Sequence, residues 1–392
     1  MLTETSLRNL YKLEYNSFFE KLGVLNYSQR LKTTNRKDYS KLVTLLKEEI
    51  DSPTGQFKAK QLDKFLFERI FYLKNNLHYV YQLDSHFILE NDINDLENIR
   101  AYLSSFSDLR LDNQIPCETT DTFEICTTRL VTNQSGVVEQ INLLIKCENV
   151  STKRGVITLY SGVTIDIKNK LLLIKFNQNY LESHSSKPML LHNIKLTLTN
   201  NSTFRPLKLH FSSITENHGR DLIFTLFKEL SEDAEKILNK KASSDTDHKI
   251  TNFLKSMGIE TKKDYINQVK AVIYQDIADT FHKTLFPKGW VFRFLFREGD
   301  YTRASSRTDD FSPIYKAKVY WNLKEIVFKE KKMQEAGLVW NLPRTNGPIF
   351  VKIENKNESV QIQYYDKPAN RKNRKEKEDY VLQKVNGNLR RN

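Results

Sequence analysis

Glycine is scarce in this chain. Twelve occur in 392 residues, and no two stand closer than Gly155 and Gly162. A Walker A loop needs glycines five apart, and a dinucleotide fingerprint needs them two and three apart, so that backbone can approach a phosphate. A Gly-x-Ser-x-Gly elbow needs them to turn sharply around the nucleophile. None of these spacings is present, which argues against P-loop ATPase, kinase, Rossmann dehydrogenase and α/β-hydrolase chemistry.

Cysteine is nearly absent too. Cys117, Cys126 and Cys147 lack any Cys-x-x-Cys spacing and lie in a segment that reads as β, so buried thiols in a reducing compartment are expected. The eight histidines never come closer than eight residues, as at His78 and His86, so the two ligands one helical turn apart that a zincin needs are missing. No run approaches about 18 apolar residues, the length of a membrane-spanning helix. The N-terminal stretch "MLTETSLRNLYKLEYNSFFEKLG" is charged throughout, unlike a signal peptide. The expected compartment is cytoplasmic, with no membrane association.

What the chain does have is positive charge. Lys and Arg number 61 against 48 Asp and Glu, a net +13 with pI near 9.3. Such a balance favours a polyanionic partner. The plain alternative is drift in a Lys-, Asn- and Ile-rich composition. Hydrophobic residues at 39% and aromatics at 11% supply material for packed cores, and the length suits two or three domains.

Periodicity divides the chain into an α+β succession. Residues 1–115 read as a helical domain. The strongest case is "QFKAKQLDKFLFERIFYLKNNLHYVY", where Leu62, Phe65, Leu66, Ile70, Leu73, Leu77 and Val80 form one stripe. "LRNLYKLEYNSFFEKLGV" predicts a helix ending near Gly23, and "NDLENIRAYLSSFSDL" predicts another. Residues 116–215 read as a mostly antiparallel β domain. Within it "VTIDIKNKLLLIKF" is a hairpin about Asn169, and "HNIKLTLTN" and "RPLKLHFSS" are further strands. Residues 216–287 form a helical segment, with stripes Leu222, Leu226, Leu230, Ile237, Leu238 and Ile266, Val269, Ile273, Ile277, Phe281. "NKKASSDTDHK" links its two helices. Residues 288–366 read as a second, basic β-rich region with strands in "PIYKAKVYWNL", "GPIFVKIEN" and "SVQIQYY", and a short helix in "LKEIVFKEKKMQEAG". Residues 367–392 read as a basic flexible tail. From Asp366 onward nine Lys or Arg stand against four acids.

Three places could carry metal chemistry. A restriction-enzyme-type nuclease needs an Asp and then Asp/Glu-x-Lys on a strand. Asp166-Ile167-Lys168 and Glu354-Asn355-Lys356 supply the triplet, with Asp309 and Asp310 upstream of the second. Both triplets also read as the polar ends of hairpins. Asp245 and Asp247 have cation-holding spacing, or else one of them caps the helix starting near Ile250.

The most distinctive stretch is "KGWVFRFLFREGDYTR", residues 288–303. Trp290, Phe292, Phe294 and Phe296 alternate with Arg293 and Arg297. Lys288, Gly289, Trp290 and Phe292 match the opening of an RNA-recognition-motif signature. Val291 and Arg293 depart from it, the flanking elements do not follow its order, and no family is identified. Exposed rings would stack on bases, but four exposed aromatics make an unusually large apolar patch. Burying the rings on one face would turn the arginines outward toward phosphates.

The leading expectation is a non-enzymatic protein that holds DNA or RNA by backbone electrostatics, without a cofactor or metal. The residues expected to do so are Arg293, Arg297, Arg303 and Arg307, then Arg371, Lys372, Arg374 and Lys375 of the tail. Two alternatives are open. One is a structural adaptor subunit of a multiprotein complex, bacterial genome defence being one setting, that docks a protein partner through the N-terminal helices. The other is a cryptic metal-dependent nuclease.

Overall fold

The computed structural model describes residues 3–32, 35, 37–83, 96–115, 122–184, 186–200, 209–280, 285–298, 302–342, 347–356 and 358–389. Helices and antiparallel sheet make it an α+β protein. Its backbone contacts fall into two compact units, Met1–Ser212 and Ser213–Asn392. The division lies beside the expected boundary at 215/216. The expected boundaries at 115, 287 and 366 fall inside units.

In the first unit, α1 (Lys12–Leu22), α2 (Ser40–Asp51) and α3 (Ala59–Phe67) precede a π-helical turn, Glu68–Lys74. Gly23 ends α1 as expected, in the left-handed conformation with φ 72° that glycine adopts without strain. The long helix expected through Val80 does not form. After Asn75 and Asn76 the chain becomes strand β1 (Leu77–Leu83). His78-Tyr79-Val80-Tyr81 is rich in aromatic and β-branched residues, and strand pairing outweighs the helical spacing of Leu73, Leu77 and Val80. Helix α4 (Leu96–Ser104) follows, then β2 (Glu124–Thr132), β3 (Val138–Thr152), β4 (Gly155–Asp166) and β5 (Leu171–Phe176). These pair antiparallel in the order β2-β3-β4-β5-β1. The expected hairpin is present, with Asn169 in the turn between β4 and β5.

"HNIKLTLTN" is not a strand. It lies in α5 (Lys187–Asn200). Ile194, Leu196 and Leu198 alternate, but Leu190, Ile194 and Leu198 also repeat every four residues, and that is the stripe that is buried. Leu196 stays 39% exposed. Of "RPLKLHFSS" only the two-residue strand β6 (Phe211–Ser212), paired with β1, is formed among the described residues. Cys126 and Cys147 are buried, and burial pushes the Cys147 thiol far above its ordinary range. Cys117 lies outside the described residues.

The second unit opens with α6 (Glu216–Lys241), α7 (Thr246–Ser256) and α8 (Lys263–Thr280). In α8 the expected stripe is only half-buried, and the buried positions are Ala271, Tyr274 and Ala278. Phe281 lies outside the described residues. Strands β7 (Gly289–Glu298) and β8 (Thr302–Arg307) follow. "PIYKAKVYWNL" is not a strand but a 3₁₀ turn leading into α9 (Lys318–Glu330); the helix expected over 323–337 is present as far as Glu330, within α9, and its last residues belong instead to β9 (Met333–Trp340). Tyr320 and Val327, seven residues apart, bury one helix face. Strands β10 (Ile349–Lys356) and β11 (Ser359–Tyr364) complete a sheet ordered β11-β10-β9-β7-β8.

The flexible tail is instead helix α10 (Arg374–Leu389), with Val381, Leu382 and Val385 buried. Two of its charges are neutralised within the helix, Arg374 by Glu378 and Lys375 by Asp379, each one turn on, and Lys384 pairs with Glu229 of α6.

Candidate nucleic-acid interface

The four alternating rings Trp290, Phe292, Phe294 and Phe296 are all buried, at 0–1% exposure. They do not share one face. Between β7 and β9 the register slips at Phe292: Val291 opposes Leu338, and Arg293 opposes Gly337. This bulge reverses the alternation. Phe294 packs on Phe227 of α6 and Tyr320 of α9. Phe292 packs instead on Phe311 and Tyr365, and Trp290 donates its indole N–H to the Phe311 carbonyl at 2.7 Å. Gly337 makes room for this, since a Cβ there would lie 2.6 Å from the Phe292 ring.

The arginines do converge. On β7 and β8, Arg293 opposes Arg307 and Arg297 opposes Arg303. Directly opposed residues of an antiparallel pair lie on the same face, and residues four apart on one strand do too. The four stems therefore share one patch, about 13 Å along the strands and about 5 Å across. Arg303 and Arg307 are exposed on β8, which ends the strand order, and Arg293 and Arg297 are half-buried. The Arg297 Nε finds no hydrogen-bond partner among the described residues.

The same face continues onto β9 and β10. Glu335 opposes both Leu295 and Glu354, and Lys352 opposes Gly337. Arg293 grips Glu335, through Nε to one carboxylate oxygen and through Nη2 to the other at 3.2 Å. Lys352 Nζ lies 2.8 Å from Glu354 and 3.8 Å from Glu335. Burial holds the Glu335 carboxyl above its ordinary pKa, opposed by Lys352 and Arg293 and reinforced by Glu354. Burial likewise raises the Tyr365 phenol, against Arg293 and Arg307. Lys356 is exposed at the end of β10.

Two of the four tail candidates are taken up by neighbours. Arg374 is buried in its pair with Glu378 and stacks over the Tyr364 ring at 3.6 Å, so it is not available to a phosphate. Lys375 is held by Asp379. Arg371 pairs with Asp366 in the open, and Lys372 is exposed.

The nuclease triplets divide. Asp166 is fully buried and accepts hydrogen bonds from the Asn169 backbone and amide and from Gln140, while Lys168 pairs with Glu139. This is hairpin architecture. Glu354 and Lys356 share the charged face, whereas Asn355 turns the other way and donates to the Glu216 carbonyl. No group of three His, Cys, Asp or Glu suited to a metal ion occurs among the described residues, so Asp309 and Asp310 do not complete a ligand set with Glu354. Asp245 pairs with Lys249 and Asp247 with Lys270.

Sequence reasoning missed Glu335 and Lys352. The signal for Lys352 was present in "IFVKIENK", where Phe350, Lys352, Glu354 and Lys356 alternate with Val351 and Ile353. Among the described residues no helix is long and apolar enough to cross a membrane. No protein-family model matches the chain, and no curated protein matches it.

Proposed function

We propose that the protein binds DNA or RNA through the charged sheet face of its second unit. The observation that carries this reading is the register of β7 and β8, which gathers Arg293, Arg297, Arg303 and Arg307 on one face. Guanidinium groups donate paired hydrogen bonds to phosphate oxygens, and a row of them holds a polyanion without reading its sequence. Arg303 and Arg307 make the first contacts, being exposed and free of ion pairs with described residues. Arg293 is pre-positioned by Glu335, with part of its charge already balanced. The test is fluorescence anisotropy of labelled single- and double-stranded DNA and RNA at low salt. Binding should weaken steeply as salt rises. No binding to any of the four ends the proposal.

A second reading, metal-dependent cleavage on this face, is favoured by the opposition of Glu335 and Glu354 beside Lys352. It predicts Mg²⁺-dependent cutting that is lost in E354Q, and cutting unchanged in E354Q removes it.

A further inference from the structure

Helix α8 carries its larger apolar residues on the outside. Its own unit takes Ala271, Tyr274 and Ala278, and the Tyr274 ring lies 5.3 Å from that of Trp321 on α9. The rest of the stripe is left over. Tyr265 is 39% and Val272 64% exposed, while Ile266, Val269 and Ile273 are half-buried. At 100° per residue these five fall in one sector about 120° wide, opposite the buried face. A helix ordinarily turns such a stripe to its core. Valine and isoleucine do not favour the helix for its own sake either. Beside it α7, tied to α8 by Asp247 and Lys270 at 2.7 Å, exposes Phe253 and Met257 one turn apart. Large apolar side chains gathered in the open mark a contact surface.

The charges at the ends of the stripe say what covers it. Lys262 opens α8, its carbonyl accepting from the Ile266 N–H at 3.2 Å, and Asp276 lies near the other end, where the last turn holds no basic residue. Both fall in the sector of the stripe. Each is also at the wrong end for its own helix, whose N-terminus is partly positive and whose C-terminus is partly negative. An antiparallel neighbour reverses that. Lys262 and Asp276 each stand seven residues from Val269, two turns to either side. A second α8 laid antiparallel, Val269 against Val269, brings Lys262 of each copy to Asp276 of the other, Tyr265 to Ile273 and Ile266 to Val272. The stripe is its own complement.

The remaining charges do not oppose this pairing. Lys263 meets Gln275, Lys270 meets Gln268, Asp264 points away from the stripe, and Asp279 is held by Lys316 of its own chain at 3.2 Å. Lys262 already pairs with Glu260 at 2.9 Å, an exposed pair that contributes little, and the ammonium can donate to both carboxylates.

We propose that α8 is the contact of a symmetric homodimer, two copies of this chain packed antiparallel about Val269. The contact is isologous, each copy giving the same face. One helix pair buries less than a standard interface, so the dimer forms reversibly and at high concentration. The inference goes beyond the nucleic-acid reading and does not use the arginine face.

Sedimentation equilibrium of the full chain over a concentration series, without nucleic acid, is the test. A monomer–dimer equilibrium is expected. V269D sets two carboxylates against each other at the axis and should leave only monomer. K262D and D276K each place like charges across the axis, at two symmetric positions at once, and should weaken the dimer about tenfold. K262D/D276K in one chain exchanges both charges and should restore it, which damage to the helix by either change would not do. A single monomeric species throughout the series overturns the proposal. So does a dimer unchanged in both V269D and K262D, or a double variant that dimerises no more tightly than either single one.

Discussion

Individual charged side chains on the sheet face and in α10 differ sharply in what they can do. Arg303 and Arg307 are solvent-facing cations, and replacing either with Ala should weaken nucleic-acid binding uniformly across sequences and reduce the salt slope by about 1. Arg374 is the opposite case. Its side chain is 5% exposed against a Glu378 that is 2% exposed, so R374A should cost about 3–5 kcal/mol of stability by removing a partner of a buried carboxylate. Urea denaturation measures that loss, and nucleic-acid affinity of the folded protein should not change. Glu335 has a pH signature. Its folded-state pKa is raised above the ordinary 4.5, chiefly by burial. The folded chain then binds that proton more tightly than the unfolded chain. This contribution to stability is present below the unfolded value and is lost as pH rises through the folded one. In E335Q the loss disappears, so the stability of the variant relative to the parent should improve as pH rises above the ordinary carboxylate value of 4.5. Urea midpoints across that range provide the check, and a flat difference contradicts the assignment.

At the scale of elements, α10 is an integral part of its unit. Leu382 is 2% exposed and Val381 and Val385 are fully buried, so L382A should destabilise by about 2–5 kcal/mol, the range for emptying a packed site. A mobile tail would show no change. The sequence made some elements plain and hid others for a physical reason. Helix α1 with Gly23, the β4–β5 hairpin and strands β10 and β11 each offer one unambiguous period, whereas the even alternation of β7 hid its bulge at Phe292. Helices α5 and α9 offer two. Ile194, Leu196 and Leu198 alternate while Leu190, Ile194 and Leu198 recur every turn, and only tertiary burial selects between them. In α10 the density of charge concealed a helix, because the i,i+4 pairs that neutralise it look, in sequence, like a solvated run. The arginines of the sheet face were legible as a cluster. Their partner Glu335 was not, since the pairing of β7 with β9 joins residues 42 apart.

For the whole molecule, a net charge of +13 says less than its placement. Part of the basic C-terminal segment is spent on neighbouring acids, whereas the four arginines of β7 and β8 gather on one sheet face. Binding through about four phosphates predicts a plot of log affinity against log salt with slope about −4 on duplex DNA. A slope near −10 would mean that basic residues well beyond this face take part.

The bulge at Phe292 makes β7 a strand with a change of phase. Residues before it and residues after it answer to different surroundings, although the backbone runs on without a break. Trp290 and Phe292 belong to the wall formed by Phe311 and Tyr365, and Phe294 belongs to the helical layer. Two phenylalanines only two residues apart are therefore packed into separate layers. Emptying one of these sites removes contacts from one side of the sheet only, and the arginine row stands on the strand they share.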